Sequence, residues 1–115
     1  MSNRAGAEAN VVFIETSIFT RQVQQLLTDD EYRQLQRALV NRPNAVSLIV
    51  GSGGLRKIRW AKQGGGKRGG VRVIYYWAVS QEQILMLFIY AKGERDDLTP
   101  VQVKVLKKIV KEEYP

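Results

Sequence analysis

Apolar positions along this chain change period several times, and each change marks an element. Val11-Val12-Phe13-Ile14 is short and β-branched, which predicts a strand. Ser17 then stands where a helix cap belongs, ahead of Ile18, Phe19, Val23, Leu26 and Leu27 on one broad helical face. Thr28-Asp29-Asp30-Glu31 has the spacing of a capping box and opens a second helix with Tyr32, Leu35, Leu39 and Val40 on its buried side. Pro43 ends that helix, because the residue before a proline is pushed out of the helical region.

A short apolar stretch, Ala45 to Val50, leads to Gly51-Ser52-Gly53-Gly54, which reads as a flexible turn. Leu55–Ala61 then alternates, with Ile58 and Trp60 on one face and Lys57 and Arg59 on the other. Gln63–Gly70 holds five glycines with Lys67 and Arg68 and reads as a mobile hairpin loop. Val71 to Val79 and Ile84 to Ala91 are nearly continuous apolar runs, expected to be two antiparallel strands at the centre of a sheet. Thr99-Pro100-Val101-Gln102 is a second capping signature, with proline at the first helical position. The helix it opens, Pro100 to Glu113, is expected to bury Val101, Val105 and Ile109, flanked by Val103, Leu106 and Val110, with Lys104, Lys107, Lys108 and Lys111 outside. The order β-α-α-β-β-β-α predicts an α+β domain over 11–115, an antiparallel sheet with helices on one face. Met1 to Asn10 lacks an apolar pattern and reads as a disordered extension.

Composition narrows the chemistry. With no cysteine and no histidine, disulfides, thiol nucleophiles and the commonest general base and metal ligand are all excluded. Neither a membrane span nor the apolar centre of a signal peptide is visible, so a soluble cytoplasmic protein is expected. The net charge of +7 is local: seven basic residues fall within 51–72, which has no acid, and the remaining eleven balance eleven acids. Those seven are Arg56, Lys57, Arg59, Lys62, Lys67, Arg68 and Arg72, interleaved with Trp60 and followed by Tyr75 and Tyr76. A one-sign segment with aromatics is the footprint of a polyanion site, most plainly a phosphodiester.

Gly64-Gly65-Gly66-Lys67-Arg68-Gly69 satisfies G-x-G-x-x-G literally. It lies between two strands instead of opening a helix, and Arg68 stands where a phosphate-binding loop needs Ser or Thr, so neither nucleotide site is expected. Lys57 and Arg59 share a strand face, and Arg72 opens the neighbouring strand. Cations held on rigid strands form a clamp for a phosphate whose charge grows during transfer. Glu94, next to Arg95, is a candidate for proton transfer or for ion pairing, and metal chemistry at Asp96-Asp97 is disfavoured by the positive surroundings.

Three segments together resemble toxins of the RelE superfamily, and within it most closely the HigB branch. They are Gly53-Gly54-Leu55-Arg56-Lys57-Ile58-Arg59, the run from Gly66 to Tyr76, and Ile89-Tyr90-Ala91-Lys92-Gly93-Glu94 ahead of Asp97-Leu98. The resemblance implies a ribosome-dependent endoribonuclease that cuts messenger RNA in the decoding site by 2′-hydroxyl attack, without metal or other cofactor. It also implies a HigA-type helix-turn-helix antitoxin as partner, besides the 70S ribosome. The family's Lys-x-Lys is matched by Lys57-Ile58-Arg59 and its strand arginine by Arg72. The family's best-known toxin has an arginine after the last strand and a tyrosine at the start of the last helix, where this chain has Gly93 and Thr99. Its proton-transfer assignment therefore does not carry over: Lys57 qualifies as base only if nearby cations favour its neutral form, and Lys92 or Glu94 are the candidates for the missing partner. Arg56, Lys62, Lys67, Arg68 and Arg95 are the residues expected to hold RNA or ribosome. Two rivals share parts of this pattern, a ParE-like gyrase poison and a non-catalytic RNA-binding module.

Overall fold

In a computed structural model that describes residues 2–4, 11–44, 48–61, 70–93 and 97–115, the element order is β1 (Ser2–Arg4), β2 (Val12–Glu15), α1 (Ser17–Leu26), α2 (Asp29–Asn41), β3 (Leu55–Trp60), β4 (Val71–Ala78), β5 (Gln83–Ala91) and α3 (Pro100–Glu113). The strands form one sheet in the order β1-β2-β5-β4-β3. From β2 onward this is the β-α-α-β-β-β-α order read from the sequence. Positions 1, 5–10, 45–47, 62–69 and 94–96 lie outside the described residues, and with them the glycine-rich loop and most of the N-terminal extension.

Several expectations are corrected. The sheet is mixed: β3, β4 and β5 are antiparallel, but β2 runs parallel to β5, with Phe13 opposite Ile84. A parallel pair requires a crossover, and here α1, α2, β3 and β4 all intervene between the partners. Ser2–Arg4, within the segment expected to be disordered, pairs antiparallel with Val12–Ile14 at the sheet edge, where main-chain bonds need no apolar side-chain pattern.

The helices, finally, cover both faces. Alternate residues of β4 and β5 feed two separate cores. Val73, Tyr75, Ile84, Met86 and Ile89 pack with Phe19, Val23, Leu35 and Leu39 of α1 and α2. Ile74, Leu85, Leu87 and Tyr90 pack with Leu55 and with Leu106 and Val110 of α3. Strands apolar on both faces can only be satisfied by cover on both sides. α3 is rotated from its expected orientation: Leu106 and Val110 are buried, whereas Val101 and Val105 are exposed. No helix among the described residues is long and apolar enough to cross a membrane.

Local chemistry explains how α1 and α2 are seated. Thr16, not Ser17, caps α1: its hydroxyl oxygen accepts from the Phe19 amide at 3.1 Å. The same hydroxyl donates to the Leu87 carbonyl at 2.9 Å, beside a ladder irregularity at which Ile74 opposes Phe88 and Tyr75 opposes Met86. A bulge leaves a residue outside regular pairing, and Thr16 satisfies its carbonyl. The Thr28–Glu31 capping box is formed in both directions, at 2.8 and 3.1 Å. Glu15 receives the hydroxyls of Tyr32 at 2.5 Å and Thr20 at 2.6 Å, tying β2 to both helices. Burial, then the Glu15 hydrogen bond and charge, push the Tyr32 phenol far above its ordinary value.

The segment before β3 is an ordered turn, not a loose one. Gly51, Gly53 and Gly54 take φ of 71°, 74° and 110°, a region L side chains rarely enter. Ser52 is buried, and its hydroxyl bridges the Ile49 carbonyl and the Leu55 amide.

Candidate active site

Period-two alternation on β3 sends Leu55, Lys57 and Arg59 toward α3 and Arg56, Ile58 and Trp60 toward α2. Register fixes what lies beside them. Lys57 is opposite Ile74, and Arg59 is opposite Arg72, which in turn is opposite Tyr90 of β5. Ile74 and Tyr90 both belong to the α3-side core, so Lys57, Arg59 and Arg72 share that face. The three cations, on two adjacent strands, are therefore brought to one face of the sheet.

A fourth group completes it. The Lys57 ammonium donates to the Asp97 carboxylate at 2.5 Å, across forty residues of sequence. The hydrogen bond and charge of Lys57 come first in holding the Asp97 carboxyl below its ordinary value of 3.8, and the charges of Arg59 and Arg72 add to them. Of the three cations only Lys57 touches this largely exposed carboxylate. Lys57 is engaged here as a donor to an anion, an arrangement suited to holding phosphate oxygens more than to taking a proton from a hydroxyl.

Lys57 and Arg59 form the floor of an open groove of about 1160 Å3, which Arg72 does not line. Leu48–Gly51 makes one wall, and Pro100, Val103, Lys104 and Lys107 of α3 make the other, with Asp97 and Leu98 at the junction. Lys107 lays its aliphatic stem on Gly53, where an added β-carbon would come within 3.3 Å of Cε. Among the described residues lining the groove, four are cationic and one, Asp97, is acidic.

The remaining sequence candidates divide. Lys92 follows β5 with its amide on the Gly70 carbonyl at 2.9 Å and its side chain exposed. Arg56 points to the opposite face, donating to the Asn44 carbonyl at 3.3 Å. Lys62, Lys67, Arg68, Glu94 and Arg95 lie outside the described residues. Two aromatics of the presumed footprint are structural. Tyr75 is fully buried with its hydroxyl on the Pro43 carbonyl at 2.7 Å, and burial pushes its phenol up to about 12. Tyr76 stacks on Tyr114 at 5.7 Å.

Sequence reasoning missed Asp97, Lys104 and Lys107. Lys104 and Lys107 carried a signal: on a helical wheel they share one flank with Pro100 and Lys111, immediately beside the buried stripe. Asp97 stood in the sequence only as a disfavoured metal candidate and as part of the family-like Asp97-Leu98, and its pairing with Lys57 requires the tertiary fold.

The order of elements, the two-faced sheet and the cationic face beside the last helix agree with one family. Residues 12–114 match the family model described as the RelE toxin of the RelE/RelB toxin–antitoxin system, and on that match, which spans nearly all of the sequence, the chain belongs to the RelE toxin family.

Proposed function

We propose that this protein is a ribosome-dependent messenger-RNA endoribonuclease of the HigB branch, the toxin of a type II pair whose partner is a HigA-type antitoxin. One observation carries the reading: Lys57, Arg59 and Arg72 share one face of two paired strands, and Lys57 there already pairs with an anion, the Asp97 carboxylate.

The reaction is the one that the family resemblance implies, and the cationic face suits it. A ribose 2′-oxygen attacks the adjacent phosphorus while the bond to the 5′-oxygen of the next nucleotide breaks, leaving a 2′,3′-cyclic phosphate and a 5′-hydroxyl. The proton lost from the 2′-hydroxyl is balanced by one gained at the 5′-oxygen. Negative charge on the non-bridging oxygens rises toward the pentacoordinate state, and fixed cations aimed at that charge stabilise the transition state more than the substrate. Arg59 and Arg72, opposite one another on paired strands, are the oxyanion clamp, and Lys57 exchanges its carboxylate for a phosphate oxygen. Lys92 and Glu94 are assigned the proton transfers. Lys62, Lys67, Arg68, Arg56 and Arg95 hold RNA or ribosomal backbone. A translational target places the protein in the cytoplasm.

The product ends test this chemistry. Purified toxin on 70S ribosomes with a defined messenger is expected to leave cyclic-phosphate and 5′-hydroxyl ends, and a 2′-deoxy residue at the cut site is expected to block cleavage. Products with 5′-phosphate ends, or cutting of the deoxy substrate, would overturn the mechanism.

A further inference from the structure

We infer that Asp97 sets the discrimination of this face between free and ribosome-held RNA: its carboxylate competes with phosphate for Lys57, so that only a strand presented at high local concentration takes its place. The inference rests on the nuclease reading, which supplies the competing phosphate. Its structural basis is a misfit of charge. Of the five charged residues that line the groove among those described, Asp97 is the one acid, and its Oδ1 lies 2.5 Å from the Lys57 nitrogen that the proposed reaction needs for a phosphate oxygen.

The pair is built to open. Lys57 is held on β3 with 23% of its side chain exposed, whereas Asp97 is 73% exposed at the junction before α3. A carboxylate already in water loses little solvation when it lets go, and exposed ion pairs shift an equilibrium by only a factor of a few. Nor is Asp97 occupied elsewhere. The α3 N-terminus is closed without it, by the reciprocal Thr99 and Gln102 capping bonds at 2.8 and 3.1 Å, and among the described residues Lys57 is its one side-chain hydrogen-bond partner. The charges of Arg59 and Arg72 help to keep the carboxyl ionised, so the competitor is present at neutral pH. A tethered anion of this kind multiplies the affinity for every free polyanion by the fraction of molecules in which Lys57 is unoccupied. A messenger already fixed in a complex meets the face at an effective concentration set by that complex instead of by bulk RNA, and so displaces the carboxylate more readily. A group that only oriented Lys57 would act in the opposite sense, since its removal would slow the reaction without tightening RNA binding.

The test uses the full chain and two readouts. Anisotropy of a fluorescent, uncleavable 2′-O-methyl oligoribonucleotide is expected to show Asp97→Asn binding about two- to fivefold tighter than wild type, the reach of one exposed ion pair, with Asp97→Glu, which keeps the charge, staying nearer wild type. In a Lys57→Gln background the gain from Asp97→Asn is expected to disappear. The same oligonucleotide, unlabelled, is then titrated into cleavage reactions on 70S ribosomes as a competitor, and its inhibition constant is expected to fall by the same factor in Asp97→Asn. Equal RNA affinity in Asp97→Asn and wild type overturns the inference. So does an equal gain with and without Lys57, which would make the carboxylate a general charge effect, or a fall in kcat at unchanged RNA affinity, which would make Asp97 a positioning group for Lys57. A wild type that cuts nothing on ribosomes, while Asp97→Asn still binds RNA more tightly through Lys57, would instead sink the nuclease reading and keep the competition.

Discussion

The two faces of the sheet are built from the same strands and end in different states. On the α1/α2 face, Phe13, Phe19, Leu35, Leu39 and Tyr75 are fully buried, and the hydroxyls of Tyr32, Thr20 and Tyr75 all have partners. Two helices cover that face. On the other, a single helix packs over Leu55, Ile74, Leu85 and Leu87, while Lys57, Arg59 and Arg72 remain beyond its cover. Each apolar side chain fully buried contributes roughly 1.5–3 kcal/mol, so the closed face supplies more of the stability and can support charge left open on the other. Alternate residues of one strand are thereby divided between the two faces: Ile58 packs on the closed core, and Lys57 and Arg59 stand on the open side, where the proposed chemistry lies.

This division can be broken from either side. Phe19→Ala, on the closed face, is expected to cost about 3–5 kcal/mol in a denaturant titration, with activity per folded molecule unchanged at low temperature. Arg72→Ala, on the open face, is expected to lose about 10²–10³-fold in cleavage rate, the cost of one transition-state charge contact, with a melting temperature within error of wild type. A large drop in stability from Arg72→Ala would mean that the open face is structural after all. Thr28→Ala removes half of a capping box and is expected to cost about 1 kcal/mol in the same titration, leaving cleavage alone.

A further effect, confined to alkaline solution, is one of pH. Because the Tyr75 phenol is raised to about 12 from 10.0, its contribution to stability is complete below pH 10 and is lost as pH rises toward 12. Alkaline melts of Tyr75→Phe are expected to fall less steeply through that window than those of wild type. Asp97 has the opposite sign. Its lowered carboxyl stays ionised at neutral pH, so the Lys57 pair is lost only as pH falls below the ordinary carboxylate range.

The element order, both Thr-led capping boxes and the facing of Lys57 and Arg59 were legible because each is written in adjacent residues. Partner choice was not: β2 has four residues, and nothing in Val12–Glu15 says that it pairs parallel with β5. The two-faced sheet had a signal, since β4 and β5 read apolar at nearly every position, the mark of strands buried on both sides. The orientation of α3 was ambiguous because Val101, Val103, Val105, Leu106, Ile109 and Val110 cover too wide an arc to define one stripe. That ambiguity also hid Lys104 and Lys107, whose place in the groove follows only once Leu106 and Val110 are known to face the sheet.

The central claim, that the open face cuts translated messenger, is tested most directly by a primer-extension map on purified 70S ribosomes, with wild type and Arg72→Ala in parallel and naked RNA as control. The account predicts cuts on translated RNA alone that vanish with Arg72→Ala. Cuts on naked RNA, cuts that persist in the folded variant, or none from growth-inhibiting wild type would contradict it.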